Sequence, residues 1–149
     1  MSLAITEVKV KSREQAIYKL LERARDLRQK PALITAVTQS SGPEQQATMM
    51  NGVLTRESIT RLPSTVASTI LYNRAGLGPE DIPVAQIYDC FTGMVIAQLE
   101  DYGFCAKGEG GPFAASGALK LGGSLPTNTS GGQLSEAHVE GMLQLCEGA

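Results

Sequence analysis

The sequence predicts an α/β fold in which a layered, mixed β-sheet packs against helices. Three observations carry this. Strand-like and helix-like segments alternate along the chain, the pattern that builds such layers. A hydrophobic content of 42% over 149 residues is enough for one real core. An apolar run at 84–87 passes directly into a helical apolar pattern at 92–99, placing Tyr88, Asp89 and Cys90 on the junction.

Taken in order, "AITEVKVKS" has the β-branched content and partial alternation of an opening strand. "REQAIYKLLERARDLRQK" then sets Ile17, Leu20, Leu21, Ala24 and Leu27 on one helical stripe, which Pro31 ends. "ALITAVTQS" reads as a second strand. The following stretch, 41–60, lacks a period and reads as a long surface excursion. A helix over 62–75 is closed by "GLGPED", with a glycine stop and a proline. Next come a strand at 84–88 and a helix over 90–102. "KGEGGPFAASGALKLGGSLPTNTSGG" is dense in glycine and small polar residues and reads as loop. A last helix, "SEAHVEGMLQLCEG", runs to the chain end. No strand follows it, which predicts a truncated domain.

Charge and cysteine usage exclude several classes. The net charge is −2, from 13 basic and 15 acidic residues with the signs largely interspersed, so neither nucleic acid nor an anionic membrane is indicated as a partner. No apolar run approaches the roughly 18 to 20 residues of a membrane span, and no signal-peptide core follows Met1. Cys90, Cys105 and Cys146 are odd in number and widely spaced, against both a disulfide framework and a CxxC-type zinc site. A cytoplasmic protein is expected.

Strand-to-helix junctions are where α/β folds keep their chemistry, so 88–90 is the first place to look for function. Asp89 suits a helix N-cap. Tyr88 either packs its ring or serves as an acid–base group; a phenol with a reference pKa of about 10 donates readily but needs a nearby positive charge to act as a base near neutrality. Cys90, in the first turn of the predicted helix, is either a reactive thiol or a small buried apolar residue. His138 is the only histidine and follows a glycine-rich loop, and histidine is the commonest acid–base residue. Glu136 and Glu140 flank it and either form a solvated face or tune the imidazole. "KGEGG" and "LGGSLPTNTSGG" lack the context of a phosphate-cradling loop. Their glycines let the backbone approach a flat or extended ligand, or simply turn. The sequon at Asn128 carries no weight without a secretory signal.

"QIYDCFTGMVIAQLEDYGFCAKGEGG" followed by "GGSLPTNTSGGQLSEAHVEGM" resembles the C-terminal half of the thiolase superfamily, in the branch of sterol-carrier-protein-x thiolases and lipid-transfer-protein aldolases. "ERARDLRQKPALI" and "ITRLP…LYNRAGLGPEDI" resemble the segments that precede that motif, so the resemblance runs from about residue 22 onward and the whole of 1–149 reads as one partial domain. It implies a thiolase-like half-domain, truncated before its closing strands, that acts on the acyl group of a CoA thioester by acyl transfer or retro-aldol cleavage. Thiolases of the branch carry a His-Asp-Cys-Phe motif at this turn, and Tyr88 stands in the place of its histidine, as in the aldolases. Those aldolases have a histidine where this chain has Cys90 and a second tyrosine where it has His138. His138 in turn matches the base histidine of thiolases, though "VEGM" follows it in place of the usual proline and glycine.

By this resemblance Tyr88, His138 and Cys90 are the expected catalytic residues, and Gly131 and Gly132 the expected contacts for the thioester. No metal and no cofactor beyond coenzyme A itself are implied. The nucleophilic cysteine of thiolases lies in their N-terminal half, and none of the three cysteines here matches its context. An N-terminal thiolase half or a second copy of the chain is therefore an expected partner, as is, from the aldolases, a small OB-fold protein with a zinc ribbon. The alternative is a non-catalytic half-thiolase that scaffolds a partner subunit or binds acyl chains.

Overall fold

The structure is a computed structural model that describes residues 32–41 and 60–149, together with Glu22, Arg25 and Ser58. The chain divides into two compact units, Met1–Leu33 and Ile34–Ala149. In the first, Glu22 and Arg25 are helical, within the helix the sequence predicts there. The predicted strand at 4–12, the rest of that helix and most of the 41–60 excursion lie outside the described residues.

The second unit carries the helices α1 (Ser64–Ala75), α2 (Thr92–Asp101), α3 (Gly110–Ala115), α4 (Gly132–Ser135) and α5 (Met142–Gly148), with a 3₁₀ turn at Pro79–Asp81. α1 ends where the sequence predicts: Gly76 is left-handed at φ 68° and returns its N–H to the Tyr72 carbonyl. The predicted layered sheet does not form among the described residues. Residues 33–41 are irregular, tied down by Arg74 donating to the Val37 carbonyl at 2.7 Å and Ser40 to the Pro63 carbonyl at 2.7 Å.

At 84–88 the pairing is one parallel bridge, Ala85 with Thr127. Its bonds run from the Ala85 N–H to the Pro126 carbonyl and from the Asn128 N–H to the Ala85 carbonyl, each at 3.0 Å. One residue further the ladder stops, because Asn128 turns away at φ 49° and substitutes its side chain for a strand. The segment keeps a strand's alternation. Ala85 and Ile87 face inward onto Leu99 and Leu125, a core flanked by Ile82, Val95, Phe104, Phe113 and Leu119, while Gln86 and Tyr88 are only half-buried. Leu99, on α2, is fully buried.

The glycine-rich segment, read as loop, contains the short helix α3. A Cβ at Gly110 would come within 2.7 Å of Ile96 Cγ2, so only glycine lets this turn lie against α2, where its N–H donates to Glu100 Oε1 at 3.0 Å. Of the last helix predicted over 135–148 only the second half forms, as α5; 136–141 is an irregular bend, and α4 precedes it at the end of the glycine-rich segment. Gly141 at φ 82° and Glu140 at φ 53° supply the backbone turn that a continuous helix would forbid.

α1 is fastened to the end of α2 by polar contacts. Asp101, its side chain 1% exposed, accepts from the Leu62 N–H (2.9 Å), Ser64 Oγ (2.7 Å) and Lys107 Nζ (2.8 Å). Burial alone would raise the carboxyl, but these donors outweigh it and hold Asp101 below its ordinary pKa. Glu100 is likewise lowered against its burial, by the backbone N–H groups of Gly110 and Gly108 and then by Lys107. A carboxylate whose folded pKa is depressed contributes stability that is present above its unfolded value, about 4, and is lost as pH falls through the lower folded value. Lys107→Met is therefore expected to cost about 2 kcal/mol at pH 7 and to flatten the loss of stability below about pH 4, as read from urea midpoints at both pH values.

Candidate active site

Tyr88 is delivered to the surface by two clamps on its backbone. The Asn128 carboxamide brackets the preceding residue, accepting from the Ile87 N–H at 2.7 Å and donating to the Ile87 carbonyl at 2.9 Å. From α2, Gln98 Nε2 donates to the Tyr88 carbonyl at 2.8 Å and to the Met94 carbonyl at 3.0 Å. Asn128→Ala removes two hydrogen bonds and leaves a residue with a Cβ in left-handed backbone. A loss of about 2 to 3 kcal/mol in thermal unfolding is expected, and Asn128→Gly should recover only the backbone part.

The next residue, Asp89, is 3% exposed and ties the junction to the C-terminal segment. Its Oδ1 accepts from the Gln133 N–H (3.0 Å) and from Gln144 Nε2 (2.7 Å), and its Oδ2 from the Leu134 N–H (3.2 Å). It is not the N-cap of its own helix, a position held by Phe91. It caps the first turn of α4 instead, across 44 residues of sequence. Gly132 makes this possible: a Cβ there would lie 2.3 Å from Asp89 Oδ2, and its φ of 67° is left-handed.

These restraints bring together the two residues singled out as acid–base candidates. The Tyr88 hydroxyl lies 3.1 Å from His138 Nε2, and the rings meet edge-on with centroids 6.1 Å apart. His138 sits on the bend between α4 and α5 rather than at a helix start, and Glu140 Oε1 approaches its Nε2 at 3.5 Å. Desolvation, then the negative charges of Glu140 and a Cys90 thiolate, push the Tyr88 pKa above 10; the nearby Gln133 carboxamide pulls weakly the other way. The phenol therefore keeps its proton through the neutral range, fitting Tyr88 to donate.

The other expected site residues are placed as follows. Cys90 is half-buried and unpaired, but α2 begins at Thr92, so the thiol precedes the N-cap instead of occupying the first turn. Gly131, at φ 103°, gives its N–H to the Asn128 carbonyl at 2.8 Å, and Gly132 lies against Asp89. Asn128, Gln98 and Gln144 were not foreseen as site residues. The one available signal was Asn128, a residue type that tolerates left-handed backbone, standing three residues before a glycine pair. No cluster of metal-ligating side chains occurs among the described residues, and no described helix is long and apolar enough to cross a membrane.

A family profile described as "Thiolase C-terminal domain-like" matches residues 45–149. The chain is 48% identical to a steroid side-chain-cleaving aldolase of Thermomonospora curvata, over 85% of its own length and 32% of that protein. It is 44% identical, with the same coverage of both chains, to a 17-hydroxy-3-oxo-4-pregnene-20-carboxyl-CoA lyase of Mycobacterium tuberculosis. Among solved structures it is similar to an Ltp2-ChsH2(DUF35) aldolase, with a TM-score of 0.79 at 47% identity, covering 85% of this chain and 32% of that one. The chain thus spans about a third of the length of the relatives it matches.

Proposed function

Because the chain belongs to the thiolase C-terminal domain-like family, we propose that it forms the C-terminal part of an enzyme that breaks a carbon–carbon bond in a CoA thioester by retro-aldol cleavage, within lipid or steroid side-chain metabolism. The observation that carries this reading is the 3.1 Å contact between Tyr88 and His138, supported by the aldolase relatives. The substrate is a 3-hydroxyacyl-CoA whose hydroxyl takes the place of Tyr88 at His138 Nε2. His138 accepts the hydroxyl proton, the C2–C3 bond breaks to release a ketone, and its electron pair forms the thioester enolate. The Tyr88 O–H hydrogen-bonds to the enolate oxygen, and the proton taken up by His138 is returned to C2, which completes the shortened acyl-CoA and regenerates the neutral imidazole.

The reaction is redox neutral and takes up as many protons as it gives, so no cofactor beyond the coenzyme A of the substrate is needed. Cys90, next to Tyr88 in the chain, supplies a half-buried free thiol at the same junction. Gly131, which is exposed, offers a backbone edge free of side chains to the thioester arm, and Gly132 serves the site from behind by admitting the Asp89 carboxylate. In the complete enzyme the 84–88 segment takes its place in the layered sheet of the fold. An N-terminal thiolase half or a second copy of the chain completes the site, and a small OB-fold, zinc-ribbon protein is a further candidate partner. Exposure of Leu134, Met142 and Leu145 on α4 and α5 supports such a covering surface. Unpaired cysteines and a CoA substrate fit the cytoplasm.

The test is to incubate the complete enzyme with a 3-hydroxyacyl-CoA bearing a tertiary alcohol, and separately with a 3-ketoacyl-CoA plus free coenzyme A, and to identify products by mass spectrometry. Ketone and shortened acyl-CoA from the first substrate support the aldolase reading. Products from the second alone move the assignment to thiolysis, with His138 activating a nucleophile from the other half. Turnover of neither substrate leaves a non-catalytic module.

A further inference from the structure

Of the two glutamates that flank His138, only Glu140 reaches the acid–base pair among the described residues. Its Oε1 stands 3.5 Å from His138 Nε2, the nitrogen that the Tyr88 hydroxyl approaches at 3.1 Å. A hydroxyl and a carboxylate thus meet at one imidazole nitrogen.

The backbone that brings Glu140 there is strained. Its φ is 53°, and among the described residues only Asn128 shares the left-handed region with it outside glycine. Asparagine visits that region readily, whereas a glutamate Cβ crowds the following carbonyl with no short side chain to compensate. Gly141, next in the chain, takes φ 82° freely, and a Cβ on it would still clear the Tyr88 ring, at 3.7 Å from Cδ2. A glycine at 140 would serve the bend equally well and would not deliver the carboxylate. Backbone strain of this kind collects at functional sites, where the side chain it delivers is used.

We propose that Glu140 is a positioning residue for this pair, a fixed negative charge that keeps the Tyr88 hydroxyl protonated to donate and steadies the imidazolium that His138 becomes on taking the substrate proton. The second role rests on the retro-aldol function proposed above; the first does not. One sign of charge serves both partners, because both carry a proton when the carbon–carbon bond breaks. A carboxylate attracts the imidazolium and has no comparable hold on the neutral ring. Its effect therefore falls on the state formed during the reaction and lowers the barrier without tightening substrate binding. Toward Tyr88 the direction is visible in the free chain. After desolvation, Glu140 is the foremost influence raising the phenol's pKa, ahead of Cys90 and Asp89, with the Gln133 carboxamide opposing. Both side chains of the ion pair are open to solvent, 56% for His138 and 85% for Glu140, which limits the effect to a few-fold.

Glu140→Gln removes the charge and keeps the shape, and Glu140→Gly removes the strain as well. In the complete enzyme Glu140→Gln is expected to lower kcat about threefold to fivefold with KM within about twofold, and to bring the alkaline fall of activity to lower pH. Glu140→Gly should be as slow, yet unfold at no lower a urea concentration than wild type, because relief of the left-handed residue offsets the lost side chain. NMR titration of the full chain, with the Tyr88 ring signal identified by its loss in Tyr88→Phe, should show Tyr88 ionising at lower pH in Glu140→Gln than in wild type. Wild-type kcat in Glu140→Gln overturns the role, as does a raised KM at unchanged kcat, which makes Glu140 a substrate contact instead. An unmoved Tyr88 titration overturns it whatever the turnover. A shifted Tyr88 titration in an enzyme that cleaves no 3-hydroxyacyl-CoA overturns the retro-aldol reading and leaves the action of Glu140 on Tyr88 standing.

Discussion

Tyr88→Phe is expected to lower turnover of the complete enzyme by about 10²-fold or more while leaving the fold intact, because a positioned acid–base group supplies roughly that factor. The substitution removes one hydroxyl. The clamps from Asn128 and Gln98 act on the backbone and survive it, as does the packing of the ring. His138→Ala is expected to do as much, since its imidazole is exposed and its loss opens no core cavity. In the proposed mechanism the two residues act on one substrate, so the double variant should fall far short of the product of the single effects. The pH profile gives a separate reading. A tyrosine pKa raised above 10 keeps the donor protonated throughout the neutral range, so activity should not fall on the alkaline side until beyond pH 10. Turnover that tracks wild type within a few-fold in both single variants contradicts the assignment.

Asp89→Ala is expected to be the most damaging single change to stability, at about 4 kcal/mol in urea unfolding. Hydrogen bonds to a charged acceptor contribute about 1.5 to 3 kcal/mol each, and here three are lost together, partly redundantly, leaving buried donors on Gln133 and Gln144 without partners. The consequence reaches the site. Asp89 is what holds α4, and through Gln144 also α5, against the junction, so the bend carrying His138 loses its reference to Tyr88. Gly132→Ala should act in the same direction from the other side, since its Cβ collides with Asp89 Oδ2 and its backbone is left-handed. Loss of activity with stability unchanged in Asp89→Ala would contradict this role and point to direct participation in the reaction.

The site was more legible in the sequence than the fold that carries it. Tyr88 announces itself because an apolar run gives way to polar residues at a strand-to-helix junction, and His138 because it is unique and follows glycines. Family resemblance linked two residues that lie 50 positions apart in the chain. What local reading misplaced was decided by tertiary contacts. "SEAHVEGMLQLCEG" has helical composition throughout, yet its first half is an irregular bend, and the helix starts only after the left-handed Glu140–Gly141 pair, beyond His138. The strand at 84–88 has the right alternation, but Asn128 replaces the second rung of its ladder with a side chain. α3 was invisible because glycine and proline signal loops, whereas Gly110 is there to admit a close helix contact. Asp89 looked like a local cap and is a cap for a distant turn, a distinction that no spacing rule encodes.

Single-turnover cleavage of a tertiary 3-hydroxyacyl-CoA in heavy water, comparing wild type, Tyr88→Phe and His138→Ala in the complete enzyme, tests the central claim most directly. The account predicts ketone together with acyl-CoA carrying one deuterium at C2, and both products lost by about 10²-fold or more in either variant. Deuterated product formed at the wild-type rate by both variants would contradict it, because the proton would then travel through groups other than this pair.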